Sequence, residues 1–291
     1  MKVSLSTACL YVYPLRQVFA VAKRAGCDGV ELVINPEIEL RGGTYARKLS
    51  QEFELPILSV HPPLFQYPGW GKSEESIAPY LKRALKIAQD AGAPHLVIHM
   101  PMAENAERGK GREFIETVVG ARERLNGMGP HIALENRPRF TDKDATYILT
   151  ELHDLRAFAD AHDFPMTLDT AHVGTWDLDL IATFPHFRGR VVNVHLSDLR
   201  DVSPRIEKRP ILHSYVKQHQ FPGEGKLPLR EFVAMLAREG YQGAITFELS
   251  PTELRVWNPR TAENRLKEAV VFVRQAARCE RDEEIKRKVQ A

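Results

Sequence analysis

Along this chain, short apolar runs end again and again in a residue that binds a metal or moves a proton. The run 57–60 is followed by His61, 96–98 by His99, 132–134 by Glu135 and 166–168 by Asp169, with His172 one turn further on. The run 191–194 is followed by His195 and 244–247 by Glu248. Taken singly, each has a structural explanation. A histidine at a strand end is usually a hydrogen-bonded scaffold residue, and a glutamate there can pair with an arginine. Recurrence at consecutive run ends makes a common ligand the better reading. Carboxylates and imidazoles crowded into a dry pocket repel one another or go unpaired, and a bound cation resolves both problems. Nitrogen and oxygen donors with no cysteine suit Zn2+, Mn2+, Co2+ or Fe2+.

Such residues meet only if the elements carrying them converge. Two further runs, 3–6 and 29–33, complete a set of eight. Continuous apolar runs suit strands buried on both faces, as in a parallel sheet. Between them lie amphipathic stretches: 14–25 closed by Gly26, 73–91 by Gly92, 113–126 by Gly127 and 229–239 by Gly240. A glycine just past a helix supplies the left-handed C-terminal cap. Strand and helix alternating throughout predict right-handed βαβ units. Eight of them in 291 residues predict an α/β fold, a single (β/α)8 TIM barrel over 1–278. The C-terminal strand ends then form one mouth, where barrel enzymes keep their sites. A doubly wound open sheet would want a Gly-rich phosphate loop after an early strand, and there is no GxGxxG there.

Bulk properties exclude several classes. Hydrophobic residues at 43% and charged residues at 27% describe an ordinary globular chain. Lys plus Arg exceed Asp plus Glu only as 40 to 38, so net charge does not advertise nucleic acid. Cys9, Cys27 and Cys279 lack zinc-like spacing and read as reduced thiols of a cytoplasmic protein. The N-terminus, MKVSLSTACLYVYPLRQ, is too polar for a secretory signal, and no apolar run approaches the ~20 residues a membrane span needs. The tail 279–291 is charge-rich and reads as a solvated helical extension. The segment 199–218 is a long insertion after the seventh run, expected to form a lid or an interface.

The segments SVHPP (His61), VIHMP (His99), ALENRP (Glu135), LDTAHVG (Asp169, His172), VHLSD (His195, Asp198), HQFPGEG (His219) and FELS (Glu248) resemble, in order and spacing, the xylose isomerase-like barrel superfamily. That superfamily includes sugar isomerases and epimerases and the endonuclease IV (AP endonuclease family 2) abasic-site nucleases. The resemblance covers roughly 1–275 and implies a divalent metal cofactor (Zn, Mn, Co or Mg), with one to three ions. Carried over from the isomerase branch, it implies one metal on Glu135, Asp169, His195 and Glu248. The two glutamates would also shuttle a proton at a sugar carbon through an enediolate stabilised by the metal. Carried over from the nuclease branch, it implies three zinc ions on His61, His99, Glu135, Asp169, His172, His195, His219 and Glu248. The ninth position of that set, an Asp, is Lys217 here, and an ammonium does not ligate a metal. A third ion then requires a shifted loop in which another residue, such as Asp201, substitutes.

A small sugar or sugar phosphate is the expected partner, with abasic-site DNA the alternative, a non-catalytic metal- or sugar-binding relative a third reading, and a homo-oligomer left open. Near-zero net charge and the HLSD, PGEG and FELS segments favour the sugar. The aromatic residues Phe65, Tyr67, Trp70, Trp176 and Trp257 could wall a small pocket, or simply pack their loops. His61, His99 and the basic residues Arg41, Arg47, Arg137 and Arg139 favour a phosphodiester. Arg137 and Arg139 could equally pair with Asp142 and Asp144. The expected substrate-binding residues are His172, Arg137, Trp70 and Trp176; the expected catalytic pair is Glu135 and Glu248.

Overall fold

A computed structural model describes residues 1–64, 66–70, 75–207 and 216–290, without the side chains of 204, 207 and 279–290. Its strands are β1 (Lys2–Ser6), β2 (Gly29–Val33), β3 (Ile57–His61), β4 (His95–His99), β5 (His131–Glu135), β6 (Met166–Asp169), β7 (Val191–Leu196) and β8 (Ala244–Phe247). They pair in chain order, all parallel, and β8 closes on β1. The result is a (β/α)8 TIM barrel. His61, His99, Glu135 and Asp169 are the last residues of their strands, His195 lies one residue before the end of β7, and Glu248 directly follows β8. Register tightens the grouping: His99 pairs with Glu135, and Asp169 with His195.

Side chains alternate across each strand. Val30 and Leu32 of β2, Ile132 and Leu134 of β5, and Ile245 and Phe247 of β8 join the apolar core. The alternate set turns inward; both faces are buried, as expected of a parallel sheet, but the inner one carries polar residues rather than a continuous apolar run. Within the barrel, Ser59 Oγ donates to Glu31 Oε2 (2.8 Å), Asn193 Nδ2 donates to the same oxygen (3.0 Å), and Thr246 Oγ1 donates to Asn193 Oδ1 (2.7 Å). Eight strands leave an interior just wide enough for side chains to fill, and polar groups buried there persist because they bond one another.

The helices form as their patterns predict, with shifted starts. Leu15–Ala25 buries Leu15, Val18, Phe19 and Ala22, a three-four spacing that puts one stripe on the core. Burying Phe19 alone stabilises by about 2 kcal/mol. Gly26 and Gly92 cap their helices with φ of 86° and 75°, values a side chain would strain. Among the described residues of the stretch expected as a helix over 73–91, the α-helix is Leu81–Ala91, after a single 3-10 turn, Ala78–Tyr80. Pro79 has no N–H to donate and is confined to that turn. The 113–126 helix begins earlier, as Gly109–Leu125.

The last helix runs Pro259–Gln290. No helix among the described residues is long and apolar enough to cross a membrane. Cys9 and Cys27 are free and buried. The insertion after β7 contains the helix Pro204–Glu207, and its ends lie side by side. Arg200 N–H donates to Lys217 O (2.8 Å), while Asp198 and Gln220 exchange both backbone bonds (2.9 and 3.0 Å). The expected lid or interface falls partly on 208–215, which lies outside the described residues, as do Phe65 and residues 73–74 of the 73–91 stretch.

Candidate metal centre at the barrel mouth

Three carboxylates converge on one imidazole nitrogen. His195 Nδ1 stands 3.1 Å from Glu248 Oε2, 3.2 Å from Glu135 Oε1 and 3.9 Å from Asp169 Oδ2. One ligand atom from each of these four residues lies within 4.8 Å of the others. The second oxygen of Glu135 faces a different pair: Oε2 is 3.1 Å from His99 Nε2 and 3.5 Å from His61 Nε2, and those nitrogens are 3.2 Å apart. His61, His99 and Glu135 thus form a second potential cation group, with Glu135 shared.

Local structure fixes each ring. His61 Nδ1 sits 2.7 Å from Pro62 O, an acceptor, so Nδ1 carries the proton and Nε2 faces the cluster. His172 Nδ1 likewise donates to Asn136 O (2.9 Å). Asp169 caps the helix Thr170–Thr175 by accepting the His172 N–H at Oδ1 (2.7 Å), which leaves Oδ2 for the cluster. Asn136 clamps the Asp169 backbone from both sides, at 2.8 and 3.1 Å. His219, with φ of 55°, places Nδ1 3.1 Å from Glu248 O. Its ring lies 6.1 Å from that of His172, which lies 6.0 Å from that of His99. All eight expected ligands therefore line one mouth.

The electrostatics of the protein alone are unresolved among its carboxylates. Burial opposes charge on Glu135, but attraction to His99 and His195 and the close imidazoles of His195 and His61 hold it well below the usual range. Glu248 is also lowered, burial being outweighed chiefly by His195. Asp169 goes the other way: burial, then repulsion from Glu248 and Glu135, raise it well above a normal Asp. Burial opposes charging His195 too, yet Glu31, Glu135 and Glu248 raise it. Burial pushes His172 down to about 3. Three carboxylates compete for one imidazolium, and Asp169 loses. Glu135 Oε2 and Asp169 Oδ2 are buried without a hydrogen-bond partner, the former with imidazole nitrogens at 3.1 and 3.5 Å. Orphaned carboxyl oxygens beside imidazole nitrogens are what a divalent cation satisfies, so the donor set fits one.

Other expected site residues have different partners. Trp70 is only 2% exposed, stacks on Tyr80 (5.2 Å) and sits under Arg83, so its ring packs a loop rather than walling an open pocket. Arg137 is buried, donates to Met100 O (2.5 Å), and lies 3.9 Å from Asp144. Trp176 Nε1 donates to Arg137 O (2.8 Å), and Arg139 pairs with Asp142 (2.6 Å). Arg41 pairs with Glu37 and covers Tyr45, while Arg47 donates to Gln89 O. Asp201 pairs with Lys226 (2.8 Å) on the exposed side of its loop. The sequence reading missed Glu31, which reaches His195 Nε2 at 3.0 Å. Its signal was a lone carboxylate inside the run GVELV. Asn136 was also missed; it directly follows Glu135.

Residues 19–276 match the family described as xylose isomerase-like TIM barrel. The chain belongs to that family. An uncharacterized protein of Mycobacterium tuberculosis (strain ATCC 25618 / H37Rv) is 29% identical over 94% of this chain and 96% of its own length. Fructoselysine 3-epimerase of Escherichia coli O157:H7 is 22% identical over 86% of this chain and 90% of its own. Among solved structures, D-allulose 3-epimerase from Methylomonas sp. in complex with D-allulose superposes with TM-score 0.66 at 18% identity, covering 95% and 97% of the two chains. AP endonuclease, family 2, from Brucella melitensis superposes with TM-score 0.64 at 18% identity, covering 86% and 94%. These structures share the barrel with this xylose isomerase-like chain.

Proposed function

We propose that this protein is a divalent-metal-dependent sugar or sugar phosphate isomerase or epimerase. The observation that carries the reading is the convergence of Glu135, Asp169 and Glu248 on His195 Nδ1 at the barrel mouth. Held by these four, a divalent ion (Mn, Co, Mg or Zn) would polarise the oxygens of a bound hydroxy-carbonyl compound and acidify the carbon between them. Glu248 is 8% exposed while the other three are fully buried, so it is the carboxylate a substrate entering from solvent meets. In this reading Glu248 takes the proton from the sugar carbon. Glu135, also within reach of His195 Nδ1, would return one taken up from solvent. Each glutamate has two oxygens, which lets one hold the cation while the other moves the proton. His172, neutral and with Nδ1–H spent on Asn136 O, offers Nε2 to a substrate hydroxyl. The activities of the similar allulose and fructoselysine epimerases support a sugar as the substrate class.

A second reading, metal-dependent phosphodiester hydrolysis, is favoured by the His61–His99–Glu135 group. If both groups held ions, both oxygens of Glu135 would be engaged, leaving it none for a proton. Two occupied groups therefore favour hydrolysis, and one favours proton transfer. The basic residues Arg41, Arg47 and Arg139, spent on local partners, lend the hydrolytic reading little support. The test is incubation in D2O with a panel of ketoses, aldoses and their phosphates, alongside abasic-site duplex DNA. Deuterium entering a sugar carbon, and lost with a chelator, is expected. Strand cleavage without deuterium exchange would replace this reading with the second.

A further inference from the structure

Glu31 is the one carboxylate among the described residues that reaches the centre from the floor of the barrel rather than its rim. It is fully buried in the middle of β2. Its Oε2 accepts from Ser59 Oγ (2.8 Å) on β3 and Asn193 Nδ2 (3.0 Å) on β7. The third contact on the same oxygen is His195 Nε2, at 3.0 Å. Asn193 is itself held by Thr246 Oγ1 (2.7 Å) on β8. Four strands thus converge on fixing one oxygen atom.

The chemistry of that contact is directional. A carboxylate that already receives Ser59 O–H and Asn193 N–H has only lone pairs to offer His195, so Nε2 must be the donor. With the proton on Nε2, the lone pair of a neutral ring belongs to Nδ1, the atom around which Glu135, Asp169 and Glu248 gather. We infer that Glu31 is a positioning residue: it sets His195 in the Nε2–H tautomer and aims its Nδ1 at a cation held by the rim carboxylates. This rests on the reading that those four residues hold a cation. Partners that hydrogen-bond the far nitrogen of a ligating histidine fix its tautomer and raise its basicity, and losing one typically costs about 10- to 100-fold in metal affinity. Ser59 and Asn193 act one step further back, by fixing the carboxylate that fixes the ring.

The substitution that isolates this effect is Glu31→Gln, which keeps volume and polarity. Its amide oxygen can still accept from Ser59, Asn193 and His195 Nε2, but without the negative charge that raises the basicity of the ring, whereas Glu31→Ala removes the acceptor altogether. Zn2+ dissociation constants would be measured by chelator competition for the wild type, Glu31→Gln and Glu31→Ala, with circular dichroism to confirm the fold. Co2+ absorption spectra would report ligand geometry. The expected outcome is a 10- to 100-fold weaker Zn2+ affinity in both variants, with an altered Co2+ band. Affinity within about twofold and an unchanged Co2+ spectrum would reduce Glu31 to packing. Wild type that binds no Zn2+ would instead remove the metal reading itself, and this inference with it. Should the variants fail to fold, 15N-histidine spectra of the Zn2+-loaded wild type decide. A proton on His195 Nε2 supports the assignment, and a bare Nε2 overturns it.

Discussion

Glu135 is the residue on which the chemistry turns, because its two oxygens look in two directions. Oε1 faces His195 and Oε2 faces the His61–His99 pair. Substituting Glu248→Gln removes a base but keeps shape, so deuterium wash-in should fall at least about 10²-fold while the fold persists. A rate within a few-fold of wild type would take Glu248 out of the proton path. The paired substitution His61→Ala/His99→Ala separates the two readings. Under proton transfer it leaves bound metal near one equivalent and wash-in within about an order of magnitude of wild type. A drop from two equivalents to one, together with loss of abasic-site cleavage, would favour the hydrolytic reading instead.

At the scale of elements, the loop after β7 is organised by one side chain. Asp198 is fully buried and accepts four backbone N–H groups, from Leu199 and Leu227 at Oδ1 (2.8 and 3.0 Å) and from Gly223 and Gly225 at Oδ2 (2.9 and 3.0 Å). Gly225 is needed because a Cβ there would stand 2.3 Å from Asp198 Oδ1 and 2.4 Å from Leu199 O. Asp198→Ala strands these donors, so unfolding free energy should drop by about 2–4 kcal/mol. A loss under about 0.5 kcal/mol, read by urea titration, would mean that the loop holds itself. The HLSD and PGEG segments were visible in the sequence, but the pairing between them was not, since it joins positions more than twenty apart. Strands were legible as short, mostly apolar runs, while the polar residues inside those runs, which line the lumen, were not read as such. Helix starts were less so: Pro79 confined one to a late beginning, and the glycines near 109 disguised the early beginning of another.

For the whole molecule, the sequence showed the barrel and the rim of its mouth, and missed the floor. Glu31, Ser59, Asn193 and Thr246 each look like an incidental polar residue in an apolar run; only closure of the sheet makes them neighbours. The opposite end of the barrel carries an acid-sensitive point. Burial, and then the neighbouring His131, push His95 from 6.5 down to about 4, and its Nδ1 has no hydrogen-bond partner. The unfolded chain binds this proton near 6.5 and the folded chain refuses it until about 4. Between those values the unfolded state holds more protons, so stability falls as pH drops. His95→Gln should therefore lose less stability than wild type across that window; parallel curves would show that His95 contributes nothing to it. The account as a whole rests on a shared cation at the rim, and metal analysis of protein never exposed to chelator tests it most directly. It predicts at least one equivalent of divalent metal, abolished by His195→Ala; less than about half an equivalent in the wild type would contradict it.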